Sequence, residues 1–378
     1  MKRIKQVIQF FLILCLFTGA LSGCSLPGNK NIKISDMAVI HEEEFGGVYI
    51  DLTIDEFNAL GFEFGDSVDI SFSNGYKLQD IPYYNGYYAH NGDPELVGYP
   101  GYPYIDAAIV NGESMWELSG LKEGDSAEIK LVKKGKYLDI QEARDIHYQD
   151  DRSLYESDAV FANFRSVDAA GIRADTLYRS ASPCDNQHNR AGYTDRLAEK
   201  AKIGFIINLA DDDEKIMGYI AEEDFDSPYF LSLYNDGNVI PLAVNTDYNS
   251  DLFRGKLTEG LRAMIGHEGP YLIHCTEGKD RTGFVCILLE ALCGAGYDDI
   301  EKDYMTSYDN YYGITKDSDK KRYETIVNDV MIPLIYFITD DEKVDVKKAD
   351  LSVYAANYLK KSGLTGDEIE KLKERICR

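Results

Sequence analysis

Positive charge is scarce in this 378-residue sequence: 40 Lys and Arg stand against 65 Asp and Glu, a formal net charge of -25. Affinity for nucleic acid rests on clustered Lys and Arg that neutralise backbone phosphates, so the deficit excludes an electrostatic nucleic-acid binder. It also means that a phosphorylated ligand must meet a local reversal of the field. No CxxC pair occurs among the seven cysteines, and their spacing is irregular. That pattern matches neither a zinc-ligand set nor a disulfide framework, and no metal or cofactor is expected. Cys286 and Cys293, set in an apolar helical pattern, read as small buried hydrophobes. Core-forming residues are not scarce: hydrophobic content of 44% and aromatic content of 12% exclude a disordered chain.

The N-terminal stretch carries Lys2, Arg3 and Lys5, then an apolar run too short for a comfortable membrane span, then small residues. This is the layout of a secretory signal peptide. Its end, Leu21-Ser22-Gly23-Cys24, resembles the lipobox of bacterial lipoproteins. The resemblance implies that residues 1–23 are removed, that Cys24 carries lipid, and that the chain is membrane-tethered outside the cytoplasm. Residues 24–33, with Pro27 and Gly28, then read as a tether.

Residues 34–145 read as strands and turns, with a capping box at Thr53 and Glu56 opening a short helix that Gly61 closes. Ser67 to Phe72 alternates as a half-buried strand does. Gly65-Asp66-Ser67 and Gly124-Asp125-Ser126 echo one another in turn chemistry, and a small β-rich, barrel-like domain fits best. Between the echoes lie Tyr83, Tyr84, Tyr87, Tyr88, Tyr99, Tyr102 and Tyr104. They can pack as strand residues or offer a patch for sugar rings or substrate.

A charged stretch from Ile140 to Tyr155 holds the expected boundary, and residues 150–378 alternate helix and strand signals as an α/β domain does. Helices are expected at 196–202, 257–265 and 282–292, and through most of 350–376 with a cap at Thr365. Phe205 to Leu209 and Tyr271 to Ile273 read as buried strands.

The chemistry gathers in His274-Cys275-Thr276-Glu277-Gly278-Lys279-Asp280-Arg281-Thr282-Gly283. Cys275 follows a buried strand directly and a helix begins near Thr282, so residues 276–280 turn at the positive end of that helix. Backbone N–H groups there, with the helix dipole, form an oxyanion site. Arg281 can chelate two phosphate oxygens through its planar fork, and Lys279 adds charge. The same field favours thiolate over thiol and makes Cys275 a nucleophile. Thr282 can donate to the departing sulfur, and His274 is expected to orient the loop through backbone hydrogen bonds.

This spacing, with Arg six positions after Cys and Thr-Gly following, resembles the loop of the protein tyrosine phosphatase superfamily, in the variant found in bacterial tyrosine/serine, dual-specificity-like enzymes. Asn163-Phe164-Arg165 and Leu177-Tyr178-Arg179-Ser180-Ala181 are similar to that family's NFR and LYRSA segments. Ile207-Asn208-Leu209 sits where the family reads IDLR, with Ala210 in place of the arginine. The resemblance covers about Asp158 to Arg378. It implies a central, mostly parallel sheet flanked by helices, and phosphatase chemistry through a phosphocysteine on a phosphorylated protein or a phosphoinositide. The leaving oxygen needs an acid. Asp247, 28 residues before Cys275, and Asp280 inside the loop are equal candidates, ahead of Asp211 to Asp213.

Overall fold

The computed structural model describes residues 32–378. The expected signal peptide, the lipid site at Cys24 and the tether up to residue 31 lie outside the described residues. Ile32 and Lys33, assigned above to that tether, belong to the fold instead. Lys33 opens the first strand, and Ile32 packs its apolar side chain against the barrel core.

Seven strands, β1 (Lys33–His41), β2 (Val48–Ile50), β3 (Ser67–Phe72), β4 (Lys77–Tyr84), β5 (Pro94–Val97), β6 (Ile105–Ile109) and β7 (Ser126–Lys133), close a barrel in the order β1-β2-β6-β5-β4-β3-β7. Closure leaves no unpaired strand edge. Period-two patterning puts Val68, Ile70 and Phe72 of β3 in the core. The echoed turns are alike in structure. Gly65 and Gly124 take positive φ values of 89° and 92°. Asp66 accepts from the Glu63 N–H at 2.8 Å, and Asp125 from the Lys122 N–H at 2.9 Å. Each turn launches a strand, β3 or β7, and the two strands pair with each other.

A second sheet contains β8 (Arg165–Ser166), β9 (Leu177–Ser180), β10 (Phe205–Asn208), β11 (Val239–Pro241) and β12 (Tyr271–His274), in the order β11-β10-β12-β9-β8. All neighbours are parallel except β8 and β9. Every residue of β10 and β12 is buried, the pattern of central strands covered on both faces. The helices run longer than periodicity suggests. The first spans Ala191–Ala201, the next Asp251–Gly266 with Ser250 as its cap, and the third Asp280–Leu292. At the C-terminus two helices occur, Leu351–Ser362 and Gly366–Ile376, the second restarted by the Thr365 and Glu368 capping box.

The cysteine reading requires correction. Cys293 is not a free buried thiol but forms a disulfide with Cys377 across a sequence separation of 84. The last helix folds back so that Cys377 bridges to Ile172, next to the end of the helix Asp280–Leu292, a proximity that local sequence does not encode. Cys286 remains free and buried.

A short helix, Leu138–Arg144, joins barrel and sheet. Gln141 donates to Asn85 on the barrel side at 2.7 Å, while Ala143 is buried in the larger core of the second unit. Asn91 and Asn111, from barrel loops, donate to the carbonyl and hydroxyl of Thr246 at 3.1 and 3.0 Å.

Candidate active site

Cys275 sits directly after β12, the middle strand of the sheet, and is 2% exposed. Five residues later the helix Asp280–Leu292 begins, so the intervening loop wraps the helix N-terminus. Gly278 makes the turn possible. Its φ is 69°, and a Cβ there would lie 2.1 Å from the Ser180 carbonyl oxygen, so only glycine fits.

The loop carbonyls are tied outward. Asn163 donates to those of Glu277 and Gly278 at 3.2 and 3.3 Å, Arg179 to those of Gly278 and Lys279 at 2.8 and 3.3 Å, and the Tyr311 hydroxyl to that of Glu277 at 2.6 Å. In a trans peptide the N–H points opposite to the C=O, so these bonds turn the following N–H groups inward. Among the described residues, Thr276, Glu277, Gly278 and Lys279 donate no backbone hydrogen bond to protein. Unspent donors at a helix N-terminus form an oxyanion cradle.

Arg281 crosses this cradle, donating to the Val244 carbonyl at 3.2 Å and to the Thr276 hydroxyl at 3.3 Å. The cleft above Cys275 has a volume of about 490 Å³ and is lined by Gln187, His188, Asn245, Thr246, Glu277, Asp280 and Arg281 among others. Asp280 therefore faces the cleft. The Asp247 side chain is not among its lining residues; the Asp247 backbone accepts from Ser250 near the start of the helix Asp251–Gly266. Asp211 is spent on Asn208 and Tyr219, and Asp212 caps a helix. Ala210, where the family has arginine, has its N–H held by the Asn208 side chain at 2.9 Å, so this turn is secured without a guanidinium.

His274 is fully buried, and its Nδ1–H donates to the Cys275 carbonyl at 3.2 Å. Burial pushes its pKa down to about 3, which favours the neutral ring. The Thr282 hydroxyl is buried without a hydrogen-bond partner among the described residues.

Lys279 does not act as the sequence suggests. Its ammonium is absent from the cleft lining and lies 2.9 Å from Glu277, within 3.7 Å of Asp280, and 3.1 Å from the Tyr312 hydroxyl. Burial opposes its charge, but Asp280 and Glu277 outweigh that and hold its pKa well above the ordinary value. It neutralises the Glu277 carboxylate, which would otherwise repel phosphate, and is not free to hold a second phosphate. Glu277 also accepts from Tyr148 at 3.0 Å.

Beneath the loop lies a polar network of which the sequence reading singled out Asn163, Arg165 and Arg179 alone. Asp303 pairs with Arg165 at 2.9 Å and Arg179 at 2.5 Å, and Ser307 accepts from Asn163 and Arg165. With Tyr311, these residues recur at four-residue intervals on one face of the helix Tyr297–Tyr312. That spacing was the available signal. Arg190, packed over Tyr148 and Phe161 and paired with Asp150 at 2.6 Å, was also missed.

The tyrosine phosphatase family model matches residues 161–378. The chain belongs to the tyrosine phosphatase family. Within it, a 36-residue stretch is 56% identical to a protein of Cupriavidus necator whose name places it among tyrosine-protein phosphatases, covering 10% of this chain. The chain thus spans only 13% of that relative's length. P. aeruginosa TpbA, solved in complex with pTyr, is similar at 16% identity over 51% of this chain and 99% of that one, with a TM-score of 0.28. An uncharacterized conserved protein from Thermotoga maritima is similar at 20% identity over 30% of this chain and 42% of that one, with a TM-score of 0.23. At such scores neither structural likeness bears on the fold or the chemistry of this chain.

Proposed function

We propose that the chain is a phosphatase of phosphomonoesters, acting on phosphotyrosine and also on phosphoserine or phosphothreonine through a phosphocysteine intermediate. The observation that carries this reading is the ring of unspent N–H groups around Cys275, with its carbonyls tied back and Arg281 laid across it. Such a cradle stabilises charge that develops on equatorial phosphoryl oxygens. The Cys275 thiolate attacks phosphorus; the S–P bond forms, the P–O bond breaks, and Asp280 gives its proton to the leaving oxygen. Water then attacks the phosphocysteine, Asp280 takes its proton, and the thiolate departs with inorganic phosphate released. Asp280 is preferred to Asp247 because it lines the cleft.

Turnover of phosphotyrosine peptide, phosphoserine peptide and phosphoinositide, measured side by side, tests the substrate class; phosphoinositide turnover without peptide activity overturns it. Lys279 beside Asp280 would favour a phosphoinositide as a second cation, but Glu277 and Tyr312 engage it. A non-catalytic binding protein is the contrary reading, and it gains if Cys275→Ser shows the same phosphatase background as the parent. The chain is further read as a bacterial lipoprotein, tethered through Cys24 outside the cytoplasm. The Cys293–Cys377 disulfide supports that location, because such bonds persist in oxidising compartments.

A further inference from the structure

The catalytic cleft does not end at Asp280. Thr246 and Asp280 line a second, larger groove of about 1020 Å³ as well, which runs between the barrel and the sheet unit. Its lining includes Tyr88, Arg144, Tyr248 and Tyr304. Arg144 ends the joining helix and lies outside residues 161–378 that the family covers.

The guanidinium of Arg144 is unusual in having its donors unspent. Arginine carries five N–H donors in a fixed fork. Among the described residues Arg144 makes no side-chain hydrogen bond and no ion pair; its contact is with the face of Tyr88, 5.4 Å from the ring centroid. The neighbouring Asp145 is turned to His147 at 3.1 Å. The barrel holds Tyr88 in this place. Glu95, fully buried, accepts from the Tyr88 and Ala89 N–H groups at 3.1 and 2.8 Å, and a Cβ at Gly86 would lie 2.7 Å from the Tyr88 ring. The side chain is half-buried; burial opposes its charge, and Tyr308 and Asp280 outweigh that without taking its donors. A ligand oxyanion can fill the open fork.

We propose that Arg144 is a second anion subsite, taking a carboxylate or a further phosphate on the substrate whose first phosphate lies over Cys275. The inference rests on the proposed phosphatase reading and names its substrate class: phosphorylated molecules with a second acidic group near the scissile phosphate. Carboxylates also line the groove, Asp106, Asp329 and Asp340 among them, and Arg144 is the one Lys or Arg among its described lining residues, so it is where an anion would be held. The barrel then sets specificity by holding Tyr88 against the arginine.

The test compares phosphotyrosine peptides bearing glutamate, phosphoserine or alanine beside the phosphotyrosine, and a soluble bisphosphorylated against a monophosphorylated phosphoinositide. Both kcat/KM and binding to the Cys275→Ser chain are measured, with Arg144 and with Arg144→Met. The parent is expected to favour an anionic substrate over its neutral counterpart by about tenfold to a hundredfold. Arg144→Met should bring that ratio close to one through KM, and Arg144→Lys should restore part of it. The pair that shows the effect identifies the source of the anion. Equal losses on anionic and neutral substrates, or a ratio that Arg144→Met leaves intact in every pair, overturn the proposal. Binding to Cys275→Ser needs no turnover, so an inactive parent would refute the phosphatase reading while the ratio still tested Arg144.

Discussion

Asp303 is the anion that lets two guanidinium groups sit beneath the phosphate loop. It is 7% exposed, and Arg179 is fully buried. Through Arg179 the network reaches the carbonyls of Gly278 and Lys279, so it governs loop geometry as well as stability. Asp303→Asn keeps the shape and removes the charge, leaving Arg165 and Arg179 with only the buried Glu290 carboxyl nearby, whose own ionisation burial and Asp303 oppose in the parent. Loss of one member of a buried pair costs about 3–5 kcal/mol. At roughly 2–4 °C per kcal/mol for a unit of this size, the melting point at neutral pH should fall by roughly 6–20 °C. The effect has a pH signature. Burial opposes ionisation of Asp303, but Arg165 and Arg179 outweigh it and hold the folded pKa well below the ordinary carboxylate value of about 3.9. The stabilisation is therefore complete above the unfolded value and is lost as pH falls through the folded one. Parent and variant should differ most near neutrality and converge in acid, as followed by circular dichroism melts at descending pH, while kcat falls as the loop loosens. An unchanged melting point at neutral pH refutes the reasoning.

Three further outcomes are expected. Cys377→Ser should lose up to about 4.5 kcal/mol of stability, the chain-entropy value for a loop of this length, and dithiothreitol should produce the same shift in the parent but none in the variant. Gly278→Ala should reduce kcat by at least about a hundredfold, since the added Cβ meets the Ser180 carbonyl and the loop must open; near-normal kinetics would contradict the tight turn. His274, pushed down to about 3 by burial, should show no ring protonation by NMR from roughly pH 5 to 8. An unfolded histidine binds its proton near about 6.5, so this group's contribution is full above that value and declines by about 1.4 kcal/mol per pH unit on acidification towards the folded value.

What could be read from sequence was local. The loop from His274 to Gly283, the capping boxes at Thr53 and Thr365, the strand alternation at Ser67 to Phe72 and the continuous apolar runs of β10 and β12 each express a rule that spans a few residues. The paired turns at Gly65 and Gly124 even hinted that two distant segments share a role. Tertiary facts were hidden. The disulfide joins residues brought together only when the last helix folds back, and irregular cysteine spacing argued against it. Lys279 looked like a free cation because sequence does not show that Tyr312 and Glu277 enclose it. Asp247, by its spacing from Cys275, and Asp280, by its place inside the loop, looked equally suited, yet the first is not among the residues that line the cleft; its carbonyl accepts from Ser250 at the start of the helix Asp251–Gly266. The tyrosines of the barrel differ in their surroundings. Tyr83 and Tyr84 are buried in β4, whereas Tyr87, Tyr88, Tyr99 and Tyr102 line the groove.

The most direct test of the central claim is mass spectrometry of the chain after rapid acid quench during turnover of a phosphotyrosine peptide. The account predicts a phosphoryl adduct on the peptide containing Cys275, present in the parent during turnover and absent from Cys275→Ser. Phosphate found on another residue, or undiminished turnover by Cys275→Ser, would contradict it.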